Sequence, residues 1–135
     1  MSETLVDSSV ILDILTEDTR WFDWSSEALA EQAEQSVLVI NPLIYAEVSV
    51  RFKRIEDLDE ALPPSMFRRD ALPWQSGFLA GKAFVDYRRQ GGSRRSPLPD
   101  FYIGAHAAIE RMTLLTRDAA RFQSYFPSLR VVNPA

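Results

Sequence analysis

The 135-residue chain has no cysteine, a single histidine and only two lysines, Lys53 and Lys82. Without cysteine, neither a disulfide framework nor a thiolate zinc site is available, and a reducing cytoplasm is the natural setting. His106 alone cannot build a histidine-rich metal site. Long apolar runs are also missing, and the start, Met1-Ser2-Glu3-Thr4-Leu5-Val6-Asp7, lacks the basic and apolar regions of a signal peptide. The expectation is a soluble, cytoplasmic protein with no membrane partner. Positive charge is scarce too: 15 basic against 19 acidic side chains give −4. That argues against a constitutive nucleic-acid coat, because phosphate binding draws on accumulated Lys and Arg. It does not exclude a phosphate-processing enzyme, since carboxylates that hold divalent ions look acidic in sequence while presenting a site made less negative by its metal.

What is present suffices for one core. With 46% hydrophobic and 25% charged residues, residues 1–135 read as a single globular domain. Thr4-Leu5-Val6 predicts a strand ending at Asp7, followed by a helix begun by the Ser8 and Ser9 hydroxyls. An amphipathic helix is expected over Arg20 to Gln35, then a buried strand at Val37-Leu38-Val39-Ile40. Asn41 suits a helix cap and Pro42 a first helical position, so a helix should run to about Phe52. Further helices are expected at Glu56 to Leu62 and Trp74 to Arg89, the latter with Trp74, Phe78, Gly81 and Val85 on one stripe and Gly91-Gly92 as its stop. After a loop from Gly91 to Pro99, a helix over Asp100 to Glu110, a strand at Thr113-Leu114-Leu115, a helix over Asp118 to Phe126 and a strand at Arg130-Val131-Val132 complete the pattern. Alternating strands and helices predict a three-layer α/β/α sandwich with a mainly parallel central sheet.

Ligands of such sheets gather beyond the carboxyl ends of the strands. Asp7 and Asp118 follow strands, Asp100 opens a helix, and Glu47 lies on the helix after the second strand with Leu43, Ile44, Val50 and Arg51 as its neighbours. Singly, each has an ordinary explanation: Asp7 and Asp118 as helix caps, Asp100 at the positive end of its helix, Glu47 paired with Arg51. Together they describe carboxylates gathered at one sheet edge. Mutual repulsion in a partly dry pocket is relieved by a divalent cation with hard oxygen ligands, and phosphoryl chemistry suits that arrangement.

At these residues the chain resembles the PIN-domain family, and within it the VapC-type toxins of toxin–antitoxin pairs. The resemblance rests on Val6-Asp7-Ser8-Ser9-Val10, on Pro42-Leu43-Ile44-Tyr45-Ala46-Glu47, on Ser96-Pro97-Leu98-Pro99-Asp100-Phe101-Tyr102-Ile103-Gly104-Ala105-His106-Ala107, and on Thr116-Arg117-Asp118, in the family's order and approximate spacing. It implies a PIN-like fold and a metal-dependent endoribonuclease. Asp7, Glu47, Asp100 and Asp118 would be its catalytic acids and its Mg²⁺ or Mn²⁺ site, steadied by hydrogen bonds from Ser8 or Ser9 and by Thr116. In-line attack by water would leave a 5′-phosphate and a 3′-hydroxyl, so preference for RNA must come from binding. Homodimers and a cognate antitoxin that blocks the acidic pocket with a basic side chain are implied by the resemblance alone.

Arg88, Arg89, Arg94 and Arg95 flank Gly91-Gly92 just before Asp100 and form the one concentrated basic patch, read as an RNA phosphate-gripping lip. His106, among alanines and glycine, reads as a packed or hydrogen-bonded histidine outside the site. Trp21, Trp24 and Trp74 read as core or interface residues rather than base stackers. An aspartyl-phosphate phosphatase would need a second carboxylate two residues after Asp7, where Ser9 stands. A receiver domain would want paired early acids and a late lysine. The remaining alternative is a catalytically silent PIN-like module that binds RNA or protein.

Overall fold

A computed structural model describes residues 2–94 and 98–134. Five strands, β1 (Ser2–Val6), β2 (Ser36–Ile40), β3 (Arg68–Arg69), β4 (Thr113–Leu115) and β5 (Val131–Val132), form one sheet in the order β3-β2-β1-β4-β5. Every pairing in it is parallel. Leu5, Val39 and Leu114 are in register on one face and Val6 and Leu115 on the other, all buried, so the centre of the sheet is apolar on both faces, as a sheet covered by helices on each side requires.

Among the described residues seven helices connect the strands: α1 (Ser8–Leu15), α2 (Phe22–Gln35), α3 (Pro42–Ser49), α4 (Ile55–Ala61), α5 (Trp74–Arg89), α6 (Pro99–Ile109) and α7 (Ala120–Tyr125). They pack in two groups, α1 with α2 and α3, and α5 with α6 and α7. Parallel crossovers are right-handed, so connections that step from β1 through β2 to β3 lie on one face, and those that return to β4 and on to β5 lie on the other. The order in which strands are added therefore reverses between β1 and β4. Helix α6 seals both layers because its two apolar faces differ: Ile103 and Ala107 join the main core over the sheet, while Phe101 and Ala105 pack with Ala80 and Ala83 of α5.

Several local expectations shift. The cap of α1 is Asp7, whose Oδ1 accepts from the Ser8 N–H at 2.9 Å; the Ser8 and Ser9 hydroxyls do other work. Asn41 caps α3 through a bond from the Ile44 N–H, but the helix stops at Ser49 rather than near Phe52. Asp118 does not cap α7, which starts at Ala120. The strand β3 is not expected from the sequence. Its two exposed arginines carry no apolar signature, and Arg68 is held instead by Glu3 and Asp70. The expected stripe of α5 faces outward: Trp74 is 95% exposed and Phe78 71%, so of the two readings, core or interface, Trp74 does not take the core. Trp24 packs against the main core and Trp21 is half-buried. Gly91, at φ +93°, supplies the left-handed turn that ends α5.

Candidate active site

The strand order reverses between β1 and β4, and the carboxyl ends flanking such a switch are the position where α/β sheets accept ligands. The ladder continues one residue past each strand: the Asp7 N–H donates to the Leu115 carbonyl at 2.9 Å, and the Thr116 N–H to the Val132 carbonyl at 3.0 Å. Asp7 and Thr116 are thus set side by side by the sheet itself.

Asp7 is only 5% exposed and is surrounded by donors. Its Oδ2 accepts from Thr116 Oγ1 at 2.7 Å and from Ser9 Oγ at 2.9 Å. Both hydroxyls are oriented from behind, because the Asp118 N–H donates to Thr116 Oγ1 at 3.1 Å and the Arg117 N–H to Ser9 Oγ at 3.1 Å. A hydroxyl that accepts from a backbone N–H keeps its one proton for the carboxylate, so each relay has a fixed direction. Ser8, the next residue along, turns the other way and donates to Glu47 Oε1 at 2.9 Å. That bond, with no Glu47–Arg51 ion pair among the described residues, sets Glu47 toward α1.

The acids feel one another. Burial pushes the Asp7 carboxyl up; the bonds from Thr116, Ser9 and Ser8 pull it down, and the Asp118 charge adds to the rise. Burial also raises Glu47, partly offset by Ser8, with Asp7 and Asp100 as repelling neighbours. Asp100, in the first turn of α6 and half-buried, is raised by burial and by Asp7 and Asp118, against the opposing charge of Arg121. Asp118 sits on the loop after β4 with its side chain 72% exposed. Sheet and helices thus bring all four toward one edge. As they stand, no three acids or histidines among the described residues close to ligand distance about a single point.

The donor set nonetheless fits a hard divalent cation. It is all carboxylate oxygen, partly desolvated and mutually repelling, and two of its members are held by N–H and O–H donors rather than neutralised by cations. Asp7, Asp100 and Asp118 would hold such an ion, with Glu47 beside them.

Arg117 and Asp13 carry no signal in the sequence, nor does Arg121. Arg117 Nε meets Asp13 Oδ2 at 2.9 Å and its Nη1 lies 3.7 Å from Asp118 Oδ1. No pattern in the chain pairs Asp13 with a residue so far along it. His106 is buried and receives the Asn41 amide at 3.0 Å, away from the acids; burial pulls it down, so it is a neutral, packed histidine. In the arginine patch, Arg88 Nη1 donates to the Arg94 carbonyl at 2.7 Å and both side chains are exposed. Arg89 is exposed at the end of α5, and Arg95 lies outside the described residues. A cavity of about 270 Å³ at the ends of β2 and β3, lined by Tyr45, Arg69 and Ala71 among others, contains none of the four acids.

Comparison with known proteins follows the same lines. The model of the PIN domain matches residues 4–125. No curated protein matches the sequence. Among solved structures, VapBC2 from Rickettsia felis bound to a DNA fragment from its promoter is similar at a TM-score of 0.74 and 18% identity, over 98% of both chains. VapBC-1 from nontypeable Haemophilus influenzae is similar at 0.72 and 19%, over 96% of both. A toxin–antitoxin complex from Klebsiella pneumoniae is similar at 0.67 and 22%, over 98% of both. At these identities the likeness is one of fold.

Proposed function

Because the chain belongs to the PIN-domain family, we propose that it is a Mg²⁺- or Mn²⁺-dependent endoribonuclease, the toxin of a VapBC-type pair. The observation that carries this reading is the placing of acids about the carboxyl ends of β1 and β4, where hydroxyls bind Asp7 and Glu47, and where burial first and neighbouring acid charge after it raise Asp7, Glu47 and Asp100. PIN domains are generally nucleases, and the sequence carries acids at the four positions where the resemblance expects them. A bound cation would orient the phosphate, favour hydroxide over water and stabilise the leaving oxygen. The chain's own part is to fix the oxygens. Ser9 and Thr116 hold the Asp7 carboxylate in one rotamer, Ser8 holds Glu47 where it can orient a water, and Asp100 rides on the first turn of a helix locked into two cores.

RNA would be gripped by Arg88, Arg89, Arg94 and Arg95, which precede Asp100 in the sequence; Arg88 and Arg89 end α5, and Arg88, Arg89 and Arg94 are exposed. A cognate antitoxin is supported by the fold shared with toxin–antitoxin complexes. A homodimer is supported by the outward face of α5, where Trp74, Phe78 and Val85 leave apolar area in water. Residues 1–135 would form one such domain, working in the cytoplasm; among the described residues no helix is long and apolar enough to cross a membrane.

The test is incubation of partner-free protein with a panel of structured RNAs, with and without Mg²⁺ or Mn²⁺, beside a folded Asp100→Asn variant. Discrete cuts that need metal and vanish in the variant support the reading. Binding without cleavage across the panel would leave a silent module, and cleavage that survives chelation and substitution would put the chemistry elsewhere.

A further inference from the structure

Asp13 is an acid that the proposed chemistry does not use, yet its side chain is 3% exposed. Burying a carboxylate is costly unless it is paired and hydrogen-bonded, so its partners show what it is for. It has two: Ser25 Oγ of α2 donates at 2.8 Å and Arg117 Nε at 2.9 Å, both to Oδ2. Arg117 belongs to the loop between Thr116 and Asp118, and its guanidinium lies 5.5 Å from the Trp21 ring centre. Its backbone N–H is also taken, by Ser9 Oγ at 3.1 Å.

Ser9 and Asp13 are four residues apart on α1 and so lie on one face of that helix. One residue of the loop is therefore fastened to α1 at two points about one helical turn apart, by its backbone at Ser9 and by its side chain at Asp13. The same helix begins at Asp7. Fixing Arg117 to α1 fixes its two neighbours relative to Asp7: Thr116, whose hydroxyl reaches Asp7 Oδ2, and Asp118, whose Oδ1 is 3.7 Å from Arg117 Nη1. Asp118 is otherwise exposed and on a loop, the least constrained of the four acids.

We propose that Arg117, anchored by the buried Asp13, is a positioning residue that sets Asp118 and the Thr116 hydroxyl against Asp7 so that the acids can share one divalent ion. The inference rests on the metal-dependent reading of this site and adds to it a part of the chain outside the acidic set. It has a sign that separates it from simple electrostatics. As a bare cation beside Asp118, Arg117 would repel a metal ion, and its removal would tighten binding; as a positioning residue, its removal weakens binding.

The experiment is titration of the full chain with Mn²⁺, free ion being counted by electron paramagnetic resonance, for wild type, Arg117→Gln, Asp13→Asn and the double variant. Near-UV circular dichroism and cooperative melting confirm folding of each. The expected result is Mn²⁺ affinity weakened about tenfold or more in each single variant, the range typical when residues supporting a ligand are removed. The double variant should be no weaker than Arg117→Gln, because both changes remove one strut. In RNA hydrolysis, kcat falls by a similar factor while KM for RNA stays put. Affinity unchanged or tighter in folded Arg117→Gln overturns the inference; if that variant does not fold, Asp13→Asn, which keeps the arginine, decides by the same readout. Wild-type protein that binds Mn²⁺ without cutting RNA contradicts the nuclease reading and leaves the affinity comparison to judge Arg117. Wild-type protein that binds no Mn²⁺ at millimolar concentration contradicts both.

Discussion

A buried carboxylate kept as an acceptor by two hydroxyls, each itself bonded to a backbone N–H, has little freedom to move. Asp7 is such a group, and Thr116→Val removes one of the two hydroxyls with little change of shape. Its expected effect is a 10- to 100-fold loss of metal affinity or activity with the fold intact, checked by Mn²⁺ titration alongside a melting curve. Asp100 makes the opposite kind of prediction. Its carboxyl is raised by burial first and by Asp7 and Asp118 after it. A folded-state value above the unfolded one means that the native protein binds the extra proton, so the group's contribution to stability declines as pH rises from its ordinary value of 3.8 through the raised one. Asp100→Asn deletes that liability. Metal-free variant should melt above metal-free wild type at pH 7, by on the order of a few °C, and the gap should close toward pH 4. Added Mg²⁺ or Mn²⁺ should stabilise wild type more than the variant, since an ion that binds only the native state stabilises by mass action. Equal melting of the two proteins at every pH would mean that Asp100 is not strained by its neighbours.

Elements are legible where periodicity and punctuation agree. Trp74 to Arg89 and Thr113 to Leu115 are found at their expected bounds, and Asn41-Pro42 opens a helix as its chemistry requires. Legibility fails where tertiary context decides. Nothing in Arg68-Arg69 marks a strand until Val39 and Ile40 offer it an edge. The apolar stripe on α5 is visible in the sequence, but periodicity alone cannot say whether such a face looks inward or out. Helix α6 carries the tightest packing in the site's support. A Cβ on Gly104 would meet the Phe126 ring at 2.5 Å and Phe122 at 3.2 Å. Gly104→Ala gains about 1 kcal/mol of helix propensity but overpacks a closed junction, at a cost of about 1–3 kcal/mol. The net expectation is a lower denaturant midpoint, and a midpoint at or above that of wild type would show that the ring yields freely.

For the whole molecule, charge and exposed apolar area set what it can meet. A chain of net charge −4 that binds RNA must do so through local arginines, and replacing Arg88, Arg89 and Arg94 with Gln should flatten the salt dependence of binding by about 0.7 in slope for each phosphate that is no longer neutralised. An unchanged slope would remove the patch from the RNA path. On the α5 face, Phe78→Glu should convert a dimer to a monomer in sedimentation if that face joins two copies. The positions of Asp7 after β1 and of Asp100 in the first turn of α6 are legible in the sequence because strand ends and helix starts mark them, whereas Glu47, late in α3, is marked only by its apolar neighbours. The struts around these acids are not legible: Asp13 and Arg117 lie far apart in the chain and meet only through the β1–β4 pairing. The proposed divalent-cation site lies among these acids, where the strand order reverses. Its most direct measurement is an anomalous-difference map from crystals grown with Mn²⁺. A peak bounded by Asp7, Asp100 and Asp118 with Glu47 beside it is expected, and a peak elsewhere, or none at saturating ion, would contradict metal binding by these acids.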